Sequence, residues 1–360
     1  METTKIKGIA LTFDDVNLIP GIARVPAHQV KLEVNLTKKI KLKIPILSAA
    51  MDTVTQAELA AELAKLGGLG VLHRNCTIEE QAQMVAQVKK QDLKVAAAIG
   101  TSQDFLKRTQ ALVKQGVDLI CIDLAHGATS WAKQAIEEIK KKFKVEILAG
   151  NVATFEGAQY LANTGADAIK VGIGGGSICT TRIITGVGVP NITAIRQAKK
   201  ALVNQGIPIV IDGGIRYSGD IVKAIAAGAD CAMCGNLLAG TQESPGQVVT
   251  IQGRKYKRYR GMSVKQAMNK RTQDRYYLKK EQKTHVSQGV SGMVNYKGAL
   301  KKVIELLEGG LRSGMENAGS ANIQELKEKT GFYQVTGSGE KEAHAHELKM
   351  IEQEENYSKK

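Results

Sequence analysis

The feature that most constrains the fold of this chain is a regular alternation between short apolar segments and longer stretches with helical periodicity. Apolar segments that alternate with amphipathic helices indicate a parallel β-sheet covered by helices on both faces. Eight such units favour a closed (β/α)8 TIM barrel, an α/β fold, over an open doubly wound sheet. The eight segments span residues 44–50, 69–73, 95–100, 119–124, 146–151, 168–173, 208–214 and 231–235.

A short repeat supports this number of strands. Each copy of the repeat stands between a helical stretch and an apolar segment. Its glycine predicts the C-cap of the helix, and its aspartate predicts the start of the next turn. The copies are Gly116-Val-Asp118, Gly165-Ala-Asp167 and Gly228-Ala-Asp230.

The length of the chain predicts one barrel with extensions. Its 360 residues exceed the ~250 residues of a typical barrel. We predict a single catalytic domain over residues 1–360, with the barrel at about 44–250 and 290–315 and an exposed C-terminal tail at about 338–360. The charged, glycine-punctuated region at about 251–289 predicts an active-site lid or flap. A surface excursion or a basic patch that binds nucleic acid is the alternative.

Composition argues against several classes of protein. No apolar run approaches the ~20 residues that cross a bilayer, and the first residues lack the features of a signal peptide, so we expect a cytoplasmic protein without membrane contact. Five cysteines, an odd and sparse set, fit reduced thiols better than disulfides. The net charge of +15 indicates either an anionic partner or only a solvated lysine-rich surface. An aromatic content of 4% argues against a base-stacking platform for nucleic acid.

The segment from Lys170 to Arg182 places three consecutive glycines and Cys179 on a loop after an apolar strand. Glycine lets the backbone approach a ligand closely, so the amides and carbonyls of this loop can surround an ion or a phosphate. Neighbouring amide dipoles favour the thiolate, which is the nucleophilic form of cysteine. We therefore predict a nucleophile at Cys179. A buried structural cysteine on a glycine-rich turn is the alternative.

Polar residues follow the predicted strands, and the carboxyl ends of barrel strands meet at one face. Loops after the seventh and eighth strands of barrel enzymes commonly hold a phosphate with backbone amides. Here those positions carry Asp212-Gly-Gly214 and Gly235-Asn236, so a phosphorylated ligand is the best prediction. Each polar residue taken alone is better explained as a cap or turn residue. Cys231 and Cys234 form a C-x-x-C pair inside an apolar strand, and the absence of a second pair disfavours a metal site there.

Six stretches make the sequence recognisable as a whole. They resemble the family of inosine 5′-monophosphate (IMP) dehydrogenase and guanosine 5′-monophosphate (GMP) reductase, and the resemblance covers nearly the whole chain. The stretches are Leu11–Asp15, Ser48–Thr55, Gly150–Thr154, Gly172–Arg182, Asp212–Asp220 and Tyr259–Met262.

The resemblance implies a role for each matching residue. Cys179 would be the nucleophile, assisted in the later attack of water by Thr181, Arg275 and Tyr276. A K⁺ ion would be bound by backbone carbonyls of Gly174, Gly176 and Cys179, with Glu342, Ala343 and His344 of a neighbouring subunit. NAD⁺ would lie near Asp123, Ala125, Asn151 and Gly172. The substrate nucleotide would be held by Ser177, Asp212, Gly214, Gly235, Asn236, Tyr259, Gly261, Met262 and Gln288.

Two features favour the dehydrogenase branch of the family. Arg275-Tyr276 resembles the catalytic dyad of its mobile flap, and Gln288 resembles the residue that reads the hypoxanthine edge. The resemblance therefore implies oxidation of IMP to xanthosine 5′-monophosphate (XMP) with NAD⁺, in guanine nucleotide biosynthesis. Gly261-Met-Ser263 instead resembles the reductase, which leaves NADPH-dependent deamination of GMP as the alternative. A non-catalytic protein that binds nucleotides or nucleic acid is a remote third possibility.

One part of the family pattern is missing from this chain. The pair of nucleotide-sensing CBS modules that normally follows the second strand is absent, since Val88–Lys94 leads straight into the third apolar segment. Regulation of such a protein by purine nucleotides is therefore in doubt. The resemblance also implies a homotetramer.

Overall fold

The computed structural model describes residues 5–264 and 286–347 of the chain. Its strands are β1 (Val16–Leu18), β2 (Val34–Asn35), β3 (Lys41–Leu42), β4 (Ile46–Ser48), β5 (Leu69–Leu72), β6 (Ala96–Ile99), β7 (Leu119–Asp123), β8 (Glu146–Val152), β9 (Ala168–Val171), β10 (Ile209–Asp212), β11 (Cys231–Cys234), β12 (Val249–Ile251), β13 (Arg254–Arg260), β14 (Ser291–Asn295) and β15 (Phe332–Gln334).

The helices alternate with the central strands. They are α1 (Ala57–Lys65), α2 (Ile78–Lys89), α3 (Phe105–Lys114), α4 (Ser130–Lys142), α5 (Phe155–Asn163), α6 (Thr181–Thr185), α7 (Asn191–Leu202), α8 (Ser218–Ala227), α9 (Leu300–Asn317), α10 (Ile323–Lys329) and α11 (Gly337–Glu342).

Strands β4 to β11 form a closed parallel barrel, which confirms the predicted fold class. The strands pair in chain order, and the barrel closes where Ala232 of β11 pairs with Ile46 of β4. All eight apolar segments predicted as strands are barrel strands. Residues of β6 and β7 are buried along their full length, because both the barrel interior and the outer helices cover them.

Side chains cap the first turn of several helices. Thr77 and Glu80 form a capping box at the start of α2, and the hydroxyl of Thr154 accepts the backbone N–H of Gly157 at the start of α5. Helix α9 packs against α8 and α1, so it completes the outer ring although it lies far along the chain. Among the described residues, no helix has both the length and the apolar character needed to cross a membrane.

The aspartate of the Gly-x-Asp repeat fastens neighbouring strands at the amino-terminal end of the barrel. Asp167 donates its backbone N–H to the carbonyl of Ile147 at 2.9 Å, and its carboxylate accepts the N–H of Ile147 at 2.7 Å. Lys140 of α4 then pairs with the same carboxylate. The same exchange joins Asp118 to Val95 and Asp230 to Ile209. The repeat therefore joins neighbouring strands at the end of the barrel opposite their carboxyl ends.

The chain after the barrel adds two small sheets. Strands β12, β13 and β14 form an antiparallel sheet over part of the region that the sequence predicts as a lid. Strand β15 pairs with β1, so the chain beyond α10 covers the irregular N-terminal arm, whose Phe13 is buried in the core. The predicted exposed tail begins with α11, a short helix without a buried residue.

We expect Asp167→Ala to destabilise the protein by about 1–3 kcal/mol, because the buried N–H of Ile147 loses its acceptor. Asp167→Asn is the matched control, since an amide oxygen still accepts this hydrogen bond while the pair with Lys140 weakens. Urea unfolding of both variants would measure the difference. An equal loss in both would show that the ion pair, and not the backbone acceptor, carries the stabilisation.

Candidate functional site

A cavity of about 440 Å³ opens at the carboxyl ends of the barrel strands. Its wall combines the loop after β9, the loops after β10 and β11, residues 259–263 at the end of β13, and residues 288–289. The N-terminal arm adds Thr12, Phe13 and Asp14. A parallel barrel directs the ends of all its strands to this face, so residues far apart in the sequence meet here.

Cys179 lies at the start of a short chain of hydrogen bonds in the cavity wall. Its thiol donates to Thr181 Oγ1 at 3.1 Å, and the hydroxyl of Thr181 donates to Gln288 Oε1 at 3.1 Å. The backbone reinforces this contact, because the N–H of Thr180 donates to the carbonyl of Gln288 at 2.9 Å and Cys179 forms a β-bridge with Gly289. The segment that carries Gln288 is thus fixed directly against the thiol.

Two of the buried thiols of the barrel core, both in β11, differ from Cys179 in their surroundings. Cys231 and Cys234 lie fully buried in β11, as the sequence predicted for an apolar strand. Burial raises the pKa of Cys231, and it raises that of Cys234 to about 12. Both thiols therefore stay protonated near neutral pH, and only Cys179 of these three lines the cavity.

Asn191 lies between the loop after β9 and the loop after β10. Its amide donates to the carbonyl of Gly213 at 2.7 Å, and its side chain is 1% exposed. A Cβ at Gly175 would lie 2.8 Å from Asn191 Oδ1, and one at Gly214 would lie 2.6 Å from Asn191 Nδ2. Glycine at both positions therefore lets the buried amide fit between the two loops.

Two polar side chains contact the loop after β11: Tyr259 of β13 and Lys297, which follows β14. The hydroxyl of Tyr259 donates to Met51 Sδ at 3.8 Å. Burial raises the pKa of Tyr259 to about 12, although Ser177 opposes the shift, so the phenol is neutral. A Cβ at Gly235 would approach this hydroxyl to 2.9 Å. Lys297 donates to the carbonyls of Asn236 at 2.5 Å and Leu237 at 3.0 Å. These contacts fix the backbone next to Gly235, a glycine predicted to bind the phosphate.

A buried ion cluster lies beneath the cavity. Lys170 of β9 donates to Asp123 Oδ1 at 2.8 Å and to Asp212 Oδ2 at 2.6 Å. Asn151 donates to the same oxygen of Asp212 at 2.9 Å and to the carbonyl of Gly172 at 2.7 Å. The sequence analysis missed Lys170 because a lysine within an apolar strand does not reveal its partners.

Comparison with known proteins identifies the family. Residues 10–346 match the IMP dehydrogenase / GMP reductase domain. The chain belongs to the IMP dehydrogenase / GMP reductase family. The resemblance seen in the sequence is thereby confirmed.

Relatives of this IMP dehydrogenase / GMP reductase family member are similar over nearly their whole length. The chain is 42% identical to the inosine-5′-monophosphate dehydrogenase of Cryptosporidium parvum, with 99% of this chain and all 100% of the relative covered. The corresponding enzyme of Borreliella burgdorferi is 42% identical, with 96% and 99% covered, and that of Aquifex aeolicus (strain VF5) is 39% identical, with 96% and 97% covered. The last alignment spans 477 positions against 360 residues here, so that relative has a stretch that this chain lacks.

The structure brings most of the predicted site residues of this family member to one cavity. Cys179 and Thr181 line it, as do all nine predicted substrate residues and the glycines expected at the cation. Ala125, Asn151 and Gly172 line it from the predicted cofactor side. Two further lining residues, Arg216 and Asp14, form an ion pair that the sequence analysis did not single out.

Other predicted residues lie elsewhere. Asp123 does not line the cavity and faces Lys170 instead, with 3% of its side chain exposed. Glu342, Ala343 and His344 lie at the end of α11, and the ring of His344 is 6.4 Å from that of Tyr217. Arg275 and Tyr276 fall outside the described residues.

We expect Gly172→Ala to cost far more stability than Gly186→Ala. Both glycines have positive φ, +131° and +72°, so each alanine suffers a backbone strain of about 1–2 kcal/mol. Only the Cβ at Gly172 would also lie 2.3 Å from a backbone oxygen, that of Asp212, whereas nothing lies within 4 Å of the one at Gly186. Thermal unfolding of both variants measures the contrast, and equal losses would contradict it.

Burial lowers the pKa of Lys297 to about 8, although Cys234 opposes the shift. An unfolded lysine holds its proton up to pH ~10.4, so between about pH 8 and 10 the unfolded chain binds more protons than the folded one and stability rises with pH. We expect wild type to gain up to about 3 kcal/mol relative to Lys297→Met between pH 7 and 10. Urea unfolding at three pH values tests this, with exposed Lys301→Met as the control. A pH-independent difference would contradict it.

Proposed function

We propose that this chain is an IMP dehydrogenase that oxidises IMP to XMP with NAD⁺ through a covalent bond between Cys179 and C2 of the purine. The observation that carries the proposal is the hydrogen-bonded sequence Cys179, Thr181 and Gln288 in the cavity wall. These hydrogen bonds connect Cys179, the proposed nucleophile, to Gln288, the residue that favours the dehydrogenase branch. The relatives named above carry the same activity in their names.

Binding of IMP uses the loops at the carboxyl ends of β9, β10 and β11. The backbone at Gly214 and Gly235 and the hydroxyls of Ser177 and Tyr259 face the cavity, and such groups suit a phosphate. Asp212 lies where a carboxylate can accept hydrogen bonds from ribose hydroxyls. Gln288 presents an amide to the purine edge. The contacts described above hold Asp212, Tyr259 and Gln288 at the wall of this cavity.

The first chemical step forms a bond between Cys179 Sγ and C2 of IMP. Thr181 Oγ1 accepts a hydrogen bond from the thiol in the resting site. As the S–C2 bond forms, the thiol proton leaves to solvent and the π electrons of the C2–N3 bond move to N3. C2 becomes tetrahedral and loses its hydrogen with the bonding electron pair, which leaves a thioimidate on Cys179. NAD⁺, when bound, supplies the acceptor for that hydride.

The second step is hydrolysis of the thioimidate. Water adds to C2, the C2–S bond breaks, and Cys179 recovers a proton as XMP forms. Thr181 lies between Sγ and Gln288, so its hydroxyl can orient this water. By the resemblance, Arg275 and Tyr276 assist. A guanidine with an ordinary pKa above 12 is a weak base, so this role requires a site that favours its neutral form.

The residues present fit both NAD⁺ and a monovalent cation. Oδ1 of buried Asn151 has no hydrogen-bond partner among the described residues, and Asn151 lines the cavity, so this oxygen can accept from a cofactor. Backbone oxygens are hard ligands of the kind that K⁺ prefers, and Gly174 at φ +75° belongs to the loop expected to supply them. A homotetramer and a cytoplasmic location are part of the same proposal.

The reductase-like Ser263 has a place within this proposal. Its hydroxyl accepts the backbone N–H of Gln288 at 3.0 Å, and Ser263 is buried. The serine thus positions a residue typical of the dehydrogenase. Absorbance at 340 nm distinguishes the activities: growth with IMP and NAD⁺, stimulated by K⁺, supports the proposal, whereas decay with GMP and NADPH would assign the reductase. No change in absorbance with either pair of substrates would favour a non-catalytic binding protein.

We expect Cys179→Ala to lower kcat by on the order of 10³-fold or more while IMP still binds, because the alanine removes the nucleophile but not the contacts to the nucleotide. Cys76→Ala is the matched control, since Cys76 is partly exposed and lies outside the cavity. Progress curves at 340 nm and calorimetric titration with IMP give the two measurements. Full turnover by the alanine variant would exclude covalent catalysis at Cys179.

A further inference from the structure

One ammonium group joins two carboxylates that extend from different strands. Lys170 lies in β9, and its Nζ contacts Asp123 at the end of β7 and Asp212 at the end of β10. The side chain of Lys170 is 1% exposed. A buried charge is retained at low cost only where opposite charges and hydrogen bonds surround it, and removal of one partner leaves the others uncompensated. The geometry of both carboxylates therefore depends on Lys170.

Asn151 extends this cluster to the cofactor side of the cavity. Its Nδ2 donates to the Asp212 oxygen that Lys170 also contacts, and to the carbonyl of Gly172. These bonds fix the orientation of the amide and leave Oδ1 as its remaining acceptor. Any shift of Asp212 consequently turns or displaces Asn151.

The cluster has one end in the cavity and one end in the core. Asp212 and Asn151 line the cavity, and the carboxylate of Asp212 is 20% exposed. Lys170 and Asp123 do not line it. Lys170 therefore acts on ligands only through Asp212 and Asn151.

We propose that Lys170 is a positioning residue that couples the substrate subsite at Asp212 to the cofactor subsite at Asn151. This inference rests on the proposed function, which places the ribose of IMP at Asp212 and NAD⁺ at Asn151. Occupation of either subsite fixes the shared carboxylate and amide, so the second ligand meets a group that is already ordered. The affinity of each ligand rises by the same factor when the other is bound, as linkage requires.

The test uses Cys179→Ala protein, in which no covalent step intervenes. Calorimetry measures the Kd of IMP with and without saturating NAD⁺, and the Kd of NAD⁺ with and without IMP. We expect reciprocal tightening of about fivefold or more in this background. In Lys170→Met, we expect IMP affinity to fall about tenfold or more and the coupling factor to approach one. Intact IMP affinity and coupling in Lys170→Met would overturn the inference.

Two further variants keep the test decisive if Lys170→Met folds poorly. Lys170→Arg keeps the charge and several donors, and we expect it to retain coupling. Lys170→Gln keeps two N–H donors without the charge, and we expect it to lose coupling. Equal coupling in all three, at temperatures where each is folded, would contradict the proposal.

A matched control separates positioning from stability. Lys327→Met removes a lysine that pairs with Asp230 at 2.6 Å, the same distance as the pair of Lys170 with Asp212, but at the opposite end of the barrel. We expect it to lower the melting temperature without changing coupling; a loss of coupling there would assign the effect to general destabilisation. Failure of the Cys179→Ala parent to bind IMP would instead refute the proposed function.

Discussion

The pairing of β11 with β4 closes the barrel, and the rest of the structure depends on that closure. A closed parallel sheet has no free edge, so every strand end is committed to one of two faces. The amino-terminal face carries the Asp118, Asp167 and Asp230 exchanges that fasten neighbouring strands. The carboxyl face is thereby left to loops whose backbone need not contribute to barrel closure, and the glycine-rich cavity is built from them.

Polar side chains hold several of the loops and carboxylates around that cavity. Asn191 hydrogen-bonds the loop after β10, Lys297 hydrogen-bonds the loop after β11, and Lys170 pairs with the carboxylates below. Lys297 and Lys170 each make two close contacts with oxygens that would otherwise lose a hydrogen-bond partner, and such networks favour one arrangement because others leave polar groups unsatisfied.

The sequence was sufficient for the barrel but only partly for the site. Continuous apolar runs identify all eight strands, since both faces of a parallel sheet are covered, and the glycine-rich motif around Cys179 identifies a loop that lines the cavity. Lys170 could not be predicted because its partners Asp123 and Asp212 are 47 and 42 positions away, and strand register alone brings them together. Asn191 follows Pro190, and such a pair is typical of a helix start. The sequence therefore gives no sign that the Asn191 side chain bonds the carbonyl of Gly213. Asp123 was expected at the cofactor and is instead covered by Lys170.

The hydrogen bond between Ser263 and the backbone of Gln288 has a consequence for how such chains vary. It ties together two points of the chain on either side of residues 265–285, directly beside Cys179. Insertions or deletions between two such points leave the tie in place, and the entropy of closing a chain segment grows by only ~0.6 kcal/mol for each doubling of its length. The number of residues between Ser263 and Gln288 can therefore change across related enzymes with little effect on the geometry at the sulfur.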